Sequence, residues 1–398
     1  MPALLRLGDF RWLGASVFLN SVGMMGEIVV LGWLTLELTN SPLMVGAAMG
    51  MRMLPLFFVG VPAGALADQF PRHRLVMLTG LGQALTTATL GIAAWLGAAD
   101  LPLIFLMTLA AGVFRAIEHA ARQSFAHDVV GPAALMEGLA ILGVAMRAGW
   151  LLGSLGVGAI IAQRGSGAAY LAVAAGFLGG GLALLPVARP ALPRSAASAS
   201  LWQSVCSFLR SVRDDRTLLV LMVLTAGAEI LGFAHQALLP SLARDVLHTG
   251  PEGLGVLAAA RSVGGILGLA AAWARVAAGG GRFVGVLVAF GVSLVVLGAA
   301  PHVTGFVGVV LVLTAVNAAG ALADLLAQSL LQLSVPRELR GRAGGAWVVA
   351  IGLAPLGQLQ IGALASLFGV SIALGASGLA LAVLAGATGL LYPRLKRV

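Results

Sequence analysis

Charged side chains recur where charge is costly. Glu27, Arg52, Arg115, Arg147, Glu229 and Arg261 all fall inside long apolar runs. An ionised group at such a place must face water or an opposite charge. Arg52 and Arg261 lie ten residues into their runs, roughly 15 Å from the outer end at 1.5 Å per residue, too deep to reach the surface comfortably. Glu27 and Glu229 are the deepest acids. A carboxyl group in a low-dielectric span can take up and release a proton near neutral pH. The same carboxyl paired permanently with Arg52 or Arg261 would pin two helices, and the sequence leaves both readings open. Arg115, Glu118, His119 and Arg122 form a further group. Arg115 and Glu118 share a helix face at i,i+3, and Glu118 and Arg122 at i,i+4.

Other chemistry is not expected. The chain carries no HExxH, DxxD, nucleophile elbow or nucleotide-binding loop, and its scattered histidines lack metal spacing. Its single cysteine, Cys206, excludes an internal disulfide and a cysteine-based metal site. No catalytic residue, metal or cofactor is expected, and a membrane enzyme is not the favoured reading. A transport-dead sensor would tolerate loss of these buried charges.

The elements that carry the charges are membrane helices. The 398 residues are 59% hydrophobic and 10% charged, with a mean hydropathy of +1.00. Apolar runs of about 20 residues recur throughout. We read twelve spans: Arg11–Leu38, Pro42–Ala67, Leu75–Gly97, Leu103–Phe125, Ala133–Ala162 and Gly167–Val187, then Thr217–Leu242, Pro251–Trp273, Phe283–Ala300, Val303–Leu333, Gly341–Phe368 and Val370–Leu391. Arg6 and Arg11 precede a run too long for a signal-peptide core, so the first span is expected to stay in the mature chain. Residues 189–216 break the pattern. Pro190, Pro193 and a Ser/Ala run mark a linker, and Leu201, Trp202, Val205, Phe208, Leu209 and Val212 give it an amphipathic helix suited to the inner membrane surface. The expected division is 1–188, the linker 189–216, and 217–398.

Charge fixes the orientation. With both termini in the cytoplasm, eighteen of the 24 Lys and Arg fall on inner segments, two (Arg164 and Arg244) on outer loops, and four within helices. The net charge of +9 is spread over many short loops, which argues against nucleic acid. Trp33, Trp95 and Trp273 read as interfacial anchors, and Met24, Met25, Met49, Met51 and Met53 as core packing. The halves repeat: Pro42, Gly46 and Arg52 recur 209 residues on as Pro251, Gly255 and Arg261, and Gln123-Ser124 recur 205 residues on as Gln328-Ser329. The fold expected is an all-α integral membrane protein, twelve transmembrane helices in two six-helix pseudo-repeats around a central cavity.

One connection is distinctive: Gly64-Ala65-Leu66-Ala67-Asp68-Gln69-Phe70-Pro71-Arg72-His73-Arg74. It resembles the loop between the second and third spans of the major facilitator superfamily, roughly G-x-L-x-D-R-x-G-R-R, with Gln69 and Pro71 in place of the usual Arg and Gly. Phe10-Arg11, Leu38-Thr39-Asn40-Ser41-Pro42, Arg52 with Leu54-Pro55, Ala121-Arg122-Gln123-Ser124-Phe125 and Pro336-Arg337-Glu338-Leu339-Arg340-Gly341-Arg342 extend the resemblance to the enterobactin-exporter-like and drug–proton antiporter branch. The resemblance implies a secondary exporter of a small organic molecule, a siderophore or a lipophilic drug-like compound, coupled to protons and working by alternating access. It implies a substrate and proton cavity at Glu27, Arg52, Arg115, Arg147, Glu229 and Arg261. A cytoplasmic gate is expected at Gly64, Asp68, Arg72, Arg74, Asp324, Arg340 and Arg342. Arg115 resembles the basic residue that the superfamily often carries in its fourth helix. The Gly-Pro signature of its exporters is missing from the fifth, where Gly149-Trp150-Leu151-Leu152-Gly153 stands. Expected partners are a small-molecule substrate, protons and the lipid bilayer, with no nucleic acid and a monomeric state, in a bacterial cytoplasmic membrane. The alternative is a lysophospholipid or lipid flippase of the same fold.

Overall fold

The bilayer leaves backbone amides no water to bond, so spanning segments satisfy them internally as helices. The computed structural model describes residues 7–131, 134–187, 216–275, 279–333 and 352–393, and every regular element among them is helical. In chain order these are α1 (Gly8–Thr39), α2 (Pro42–Gln69), α3 (Arg72–Trp95), α4 (Leu101–Val130) and α5 (Leu135–Leu182). There follow α6 (Arg216–Gly227) with an irregular extension to Val246, α7 (Gly250–Arg275), α8 (Gly280–Val303), α9 (Gly305–Leu333), α10 (Ala354–Phe368) and α11 (Val370–Leu391). Ten helices among the described residues are long and apolar enough to cross a membrane. A 24-residue helix such as α3 is about 36 Å long, enough for a hydrocarbon core of about 30 Å.

The expected fifth and sixth spans are two helices that meet within α5 at Gly165, which takes φ 79°, ψ 173°, a conformation that glycine adopts without steric cost. α4 runs on to Val130 instead of ending near Phe125, and stops where Gly131 takes φ 74° ahead of Pro132. The connection after α2 is shorter than expected. Only Phe70 and Pro71 separate α2 from α3, so Arg72, His73 and Arg74 form the first turn of α3. The amphipathic linker helix and the first part of the eleventh span lie outside the described residues.

The chain divides into two compact units. The first comprises Met1–Thr39, Met51–Ser198 and Gly250–Ala259, and the second Asn40–Gly50, Ala199–Thr249 and Ala260–Val398. Each of the repeat-related helices α2 and α7 is thus shared between units. In the first unit α1 and α3 both pack on α5, and α3 packs on α4. In the second, α8 packs on α9 and α11. Lipid is as apolar as leucine, so such contacts depend on close fit and not on burial from water. Small residues provide that fit. A Cβ on Gly149 would stand 2.6 Å from the Phe18 carbonyl oxygen, and one on Gly26 would stand 2.7 Å from Val157 Cγ2 and 2.9 Å from Val173 Cγ2. Phe10, Leu13, Leu75, Val76 and Phe125 build a buried apolar cluster.

Candidate functional site

In the first unit the structure joins three of the expected cavity residues. Glu27 on α1 is 2% exposed and Arg52 on α2 is 3% exposed. Arg52 donates from Nε and Nη2 to Glu27 Oε2, both at 3.4 Å, and from Nη2 to the Met24 carbonyl at 3.5 Å. Arg115 on α4 donates from Nη2 to the same carboxylate oxygen. One Glu27 oxygen thus serves two guanidiniums from two other helices. Gly112 makes this possible. A Cβ there would be 2.8 Å from Pro55 Cγ and 2.9 Å from the Arg52 carbonyl oxygen, so its absence lets α4 close on α2 one turn before Arg115. Tyr170 on α5 is fully buried, within electrostatic reach of Glu27 and Arg52.

The i,i+4 pairing of Glu118 and Arg122 is present. Glu118 also accepts from Gln83 Nε2 on α3 at 2.7 Å. Arg115, the i,i+3 neighbour of Glu118, is ion-paired with Glu27. Glu118 and Glu27 therefore anchor two distinct clusters, each bridging helices. Arg147 on α5 is half-buried, with its guanidinium carbon 6.0 Å from the centre of the Trp150 ring, a cation–π distance.

In the second unit the seventh span departs from a plain α-helix. After α6 it turns through a π segment at Ala228–Gly232, a 3₁₀ segment at Phe233–Leu238, a single α turn at Leu239–Ser241 and a second π segment at Leu242–Val246. Glu229 sits in the first π segment, buried, within electrostatic reach of Asp324 on α9. Gln328 Nε2 donates to Asp324 Oδ2 at 3.1 Å. His235 is fully buried, its Nδ1 2.7 Å from the Gly232 carbonyl, with Arg261 on α7 within electrostatic reach. Nε and Nη1 of Arg261 are buried with no acceptor among the described residues. Glu229 makes no ion pair with Arg261. The repeat-related arginines therefore differ: Arg52 has a carboxylate partner in Glu27, whereas Glu229 lies within electrostatic reach of Asp324.

Of the expected gate residues, Arg72 donates from Nη1 to both oxygens of Asp128 at 2.7 Å. Arg74 is exposed on the same first turn of α3. Cations at a helix N-terminus oppose its dipole, and Asp128, on the last turns of α4, offsets that for Arg72. The surroundings of Gly64, the side chain of Asp68, and all of Arg340 and Arg342 lie outside what the structure describes. Trp33 corrects one expectation. It is 6% exposed inside the protein, so it is a packing residue and not an interfacial anchor. Trp95 at the end of α3 is 63% exposed, as an anchor would be, and the Trp273 side chain lies outside the described residues.

Sequence reasoning missed Tyr170, Gln83, Asp128 and His235. One had a usable signal: Tyr170 is one of only two tyrosines in the chain. Among the described residues no group of three or more His, Cys, Asp or Glu is placed to hold a metal ion.

With this geometry in hand, comparison with known proteins is informative. The chain matches the family described as transmembrane secretion effector over residues 2–397. It is 25% identical over 386 residues to the multidrug efflux pump Tap of Mycolicibacterium fortuitum, covering 93% of this chain and 92% of that one. It is 22% identical over 260 residues to the staphyloferrin A transporter of Staphylococcus aureus (strain NCTC 8325 / PS 47), a match that spans 65% of each chain, just under two thirds of that relative. Among solved structures, the nucleoside transporter NupG superposes with a TM-score of 0.78 at 14% identity, covering 96% of this chain and 99% of NupG. A bacterial homologue of the human lysosomal transporter Spinster superposes at 0.73 and 16% identity, covering 98% and 97%. At such identities the structural likeness speaks for the fold alone. These similar proteins are all transporters and none is an enzyme. The chain is a multi-pass membrane transporter that belongs to the transmembrane secretion effector family of the major facilitator superfamily.

Proposed function

We propose that this transporter exports a small organic molecule, a siderophore or a lipophilic drug-like compound, in exchange for protons by alternating access. The observation that carries the reading is the buried centre of Glu27, Arg52 and Arg115. Each buried ion costs several kcal/mol of hydration, and a buried ion pair is a poor way to gain stability. Charges kept at that cost inside apolar helices are kept for transport, where substrate competes for them. Tap and the staphyloferrin A transporter, which are named for drug efflux and for a siderophore, support the two substrate classes. In this reading Glu27, with Arg52, Arg115 and Arg147, serves the substrate, and Glu229, buried without an ion pair among the described residues, carries the proton. Asp68, Arg72, Arg74, Asp324, Arg340 and Arg342 serve an inner gate.

Transport into inverted vesicles energised by a pH gradient tests this, with a siderophore and a lipophilic dye as substrates. Wild-type uptake should follow the gradient. Glu27→Gln and Arg52→Ala should each reduce it by about tenfold or more, the consequence of losing one charged partner, and Glu229→Gln, which cannot take up a proton, should abolish its dependence on the gradient. Uptake indifferent to the gradient and to all three substitutions would sink the proposal and leave the lipid flippase in its place.

A further inference from the structure

We infer that Arg115, together with Arg52 and the Tyr170 hydroxyl, forms an anion subsite in the first unit that takes a carboxylate group of the substrate. The inference rests on the transport reading above and names the substrate chemistry at the same centre.

Hydrogen-bond accounting points to it. Two guanidiniums share one oxygen of Glu27, and Glu118, the next acid along α4, is already engaged by Arg122 and Gln83. Arg115 has five N–H donors, yet only Nη2 finds an acceptor. Its Nε and Nη1 are buried with none among the described residues. The Tyr170 hydroxyl is also buried without a partner among the described residues, in a side chain with no exposure at all. Buried donors without acceptors are rare in folded proteins and each calls for an explanation.

The helices that build the centre are α1, α2, α4 and α5. Among their described acid side chains, Glu27 and Glu118 are engaged as above, Glu37 accepts from Ser166 at 2.7 Å, Asp128 is held by Arg72, and Asp9 and Glu137 lie at helix starts; the Asp68 side chain on α2 lies outside the described residues. Arg115 is also the reachable member of the trio, with 15% of its side chain exposed against 2% for Arg52 and 3% for Glu27. An incoming group meets Arg115 first. The planar guanidinium fork matches a carboxylate better than an ammonium would. A substrate carboxylate on Arg115 would give Nε and Nη1 their acceptors and leave Glu27 to Arg52. Phosphate headgroups of anionic lipids share this chemistry, so the test separates the two sources.

The purified transporter in phosphatidylcholine nanodiscs, titrated calorimetrically with citrate and with trimethyl citrate, provides that test without any gradient. Citrate should bind and the neutral ester should not. Arg115→Gln should weaken citrate by about tenfold or more, in line with a charged hydrogen bond. Arg115→Lys should fall between, Tyr170→Phe should lose a few-fold, and the exposed Arg164→Gln should match wild type. Gel filtration and thermal melting would confirm that each variant is folded. Equal binding of citrate and its ester, no citrate binding, or wild-type affinity in Arg115→Gln would each overturn the inference. Loss of citrate binding when phosphatidylglycerol is added at equal charge would assign the subsite to a lipid headgroup and overturn the substrate assignment. Because binding is measured without transport, failure here leaves the exporter reading standing, and failed transport leaves the subsite standing.

Discussion

Burial decides what each ion pair is worth. Arg72 and Asp128 keep 15% and 26% of their side chains exposed, whereas Glu118 keeps 6% of its own. An accessible pair is screened and contributes at most about 1 kcal/mol. A double-mutant cycle of Arg72→Ala and Asp128→Ala, read by thermal melting in detergent, should give a coupling of that size that shrinks with added salt. Glu118→Ala should cost more, about 1–3 kcal/mol, because it removes the nearer acceptor of the buried Gln83 and unpairs Arg122. Equal losses at the two sites would show that burial does not rank them. The charged residues themselves were legible in the sequence because charge inside an apolar run is conspicuous. Their partners were not. Glu27 might have met either Arg52 or Arg261 by depth alone, and only the packing of α2 and α4 against α1 selects Arg52 and Arg115.

Helices show the same divide between what pattern reveals and what packing adds. α11 occupies the expected Val370–Leu391, because its ends are set by the glycine at 369 and by the end of apolar sequence. The broken seventh span was invisible in the hydropathy, which is as smooth there as elsewhere. Its π and 3₁₀ turns follow neighbours distant in sequence: a Cβ on Gly357 would be 2.6 Å from the Ile230 backbone, so α10 presses directly on the first π segment. π segments of this kind often mark functional sites, and Glu229 lies on this one. The glycines of the fifth span separate into two kinds. Gly149 meets the Phe18 backbone on α1, while Gly143 and Gly156 meet nothing within 4 Å. Gly149→Ala should therefore lower the melting temperature and the folded yield, as overpacking costs about 1–3 kcal/mol. Gly156→Ala should be neutral or stabilising by up to about 1 kcal/mol through helix propensity. A loss at Gly156 equal to that at Gly149 would remove the α1–α5 contact as the reason.

For the whole molecule, hydropathy made the class of fold plain because the bilayer imposes it, and the internal repeat made the two-part plan plain. The sharing of α2 and α7 between units was not legible: Asn40–Gly50 belongs with the second unit and Gly250–Ala259 with the first. Those segments owe their place to backbone contacts that only glycine permits, such as Gly362 against the Pro42 carbonyl oxygen and Gly158 against that of Pro251. Such contacts leave no hydropathy signal. Orientation rests on a different physical term, the excess of Lys and Arg on inner segments, and it makes a prediction of its own. The turn between α3 and α4 holds exposed Ala98 and should face outward, whereas exposed Arg74 on the first turn of α3 should face the cytoplasm. In a Cys206→Ser background, a membrane-impermeant maleimide should label Ala98→Cys in intact cells and Arg74→Cys only after permeabilisation. The two positions lie at opposite ends of one helix, so a single crossing must separate them. The reverse pattern would invert the whole transporter, and with it the proposed direction of transport.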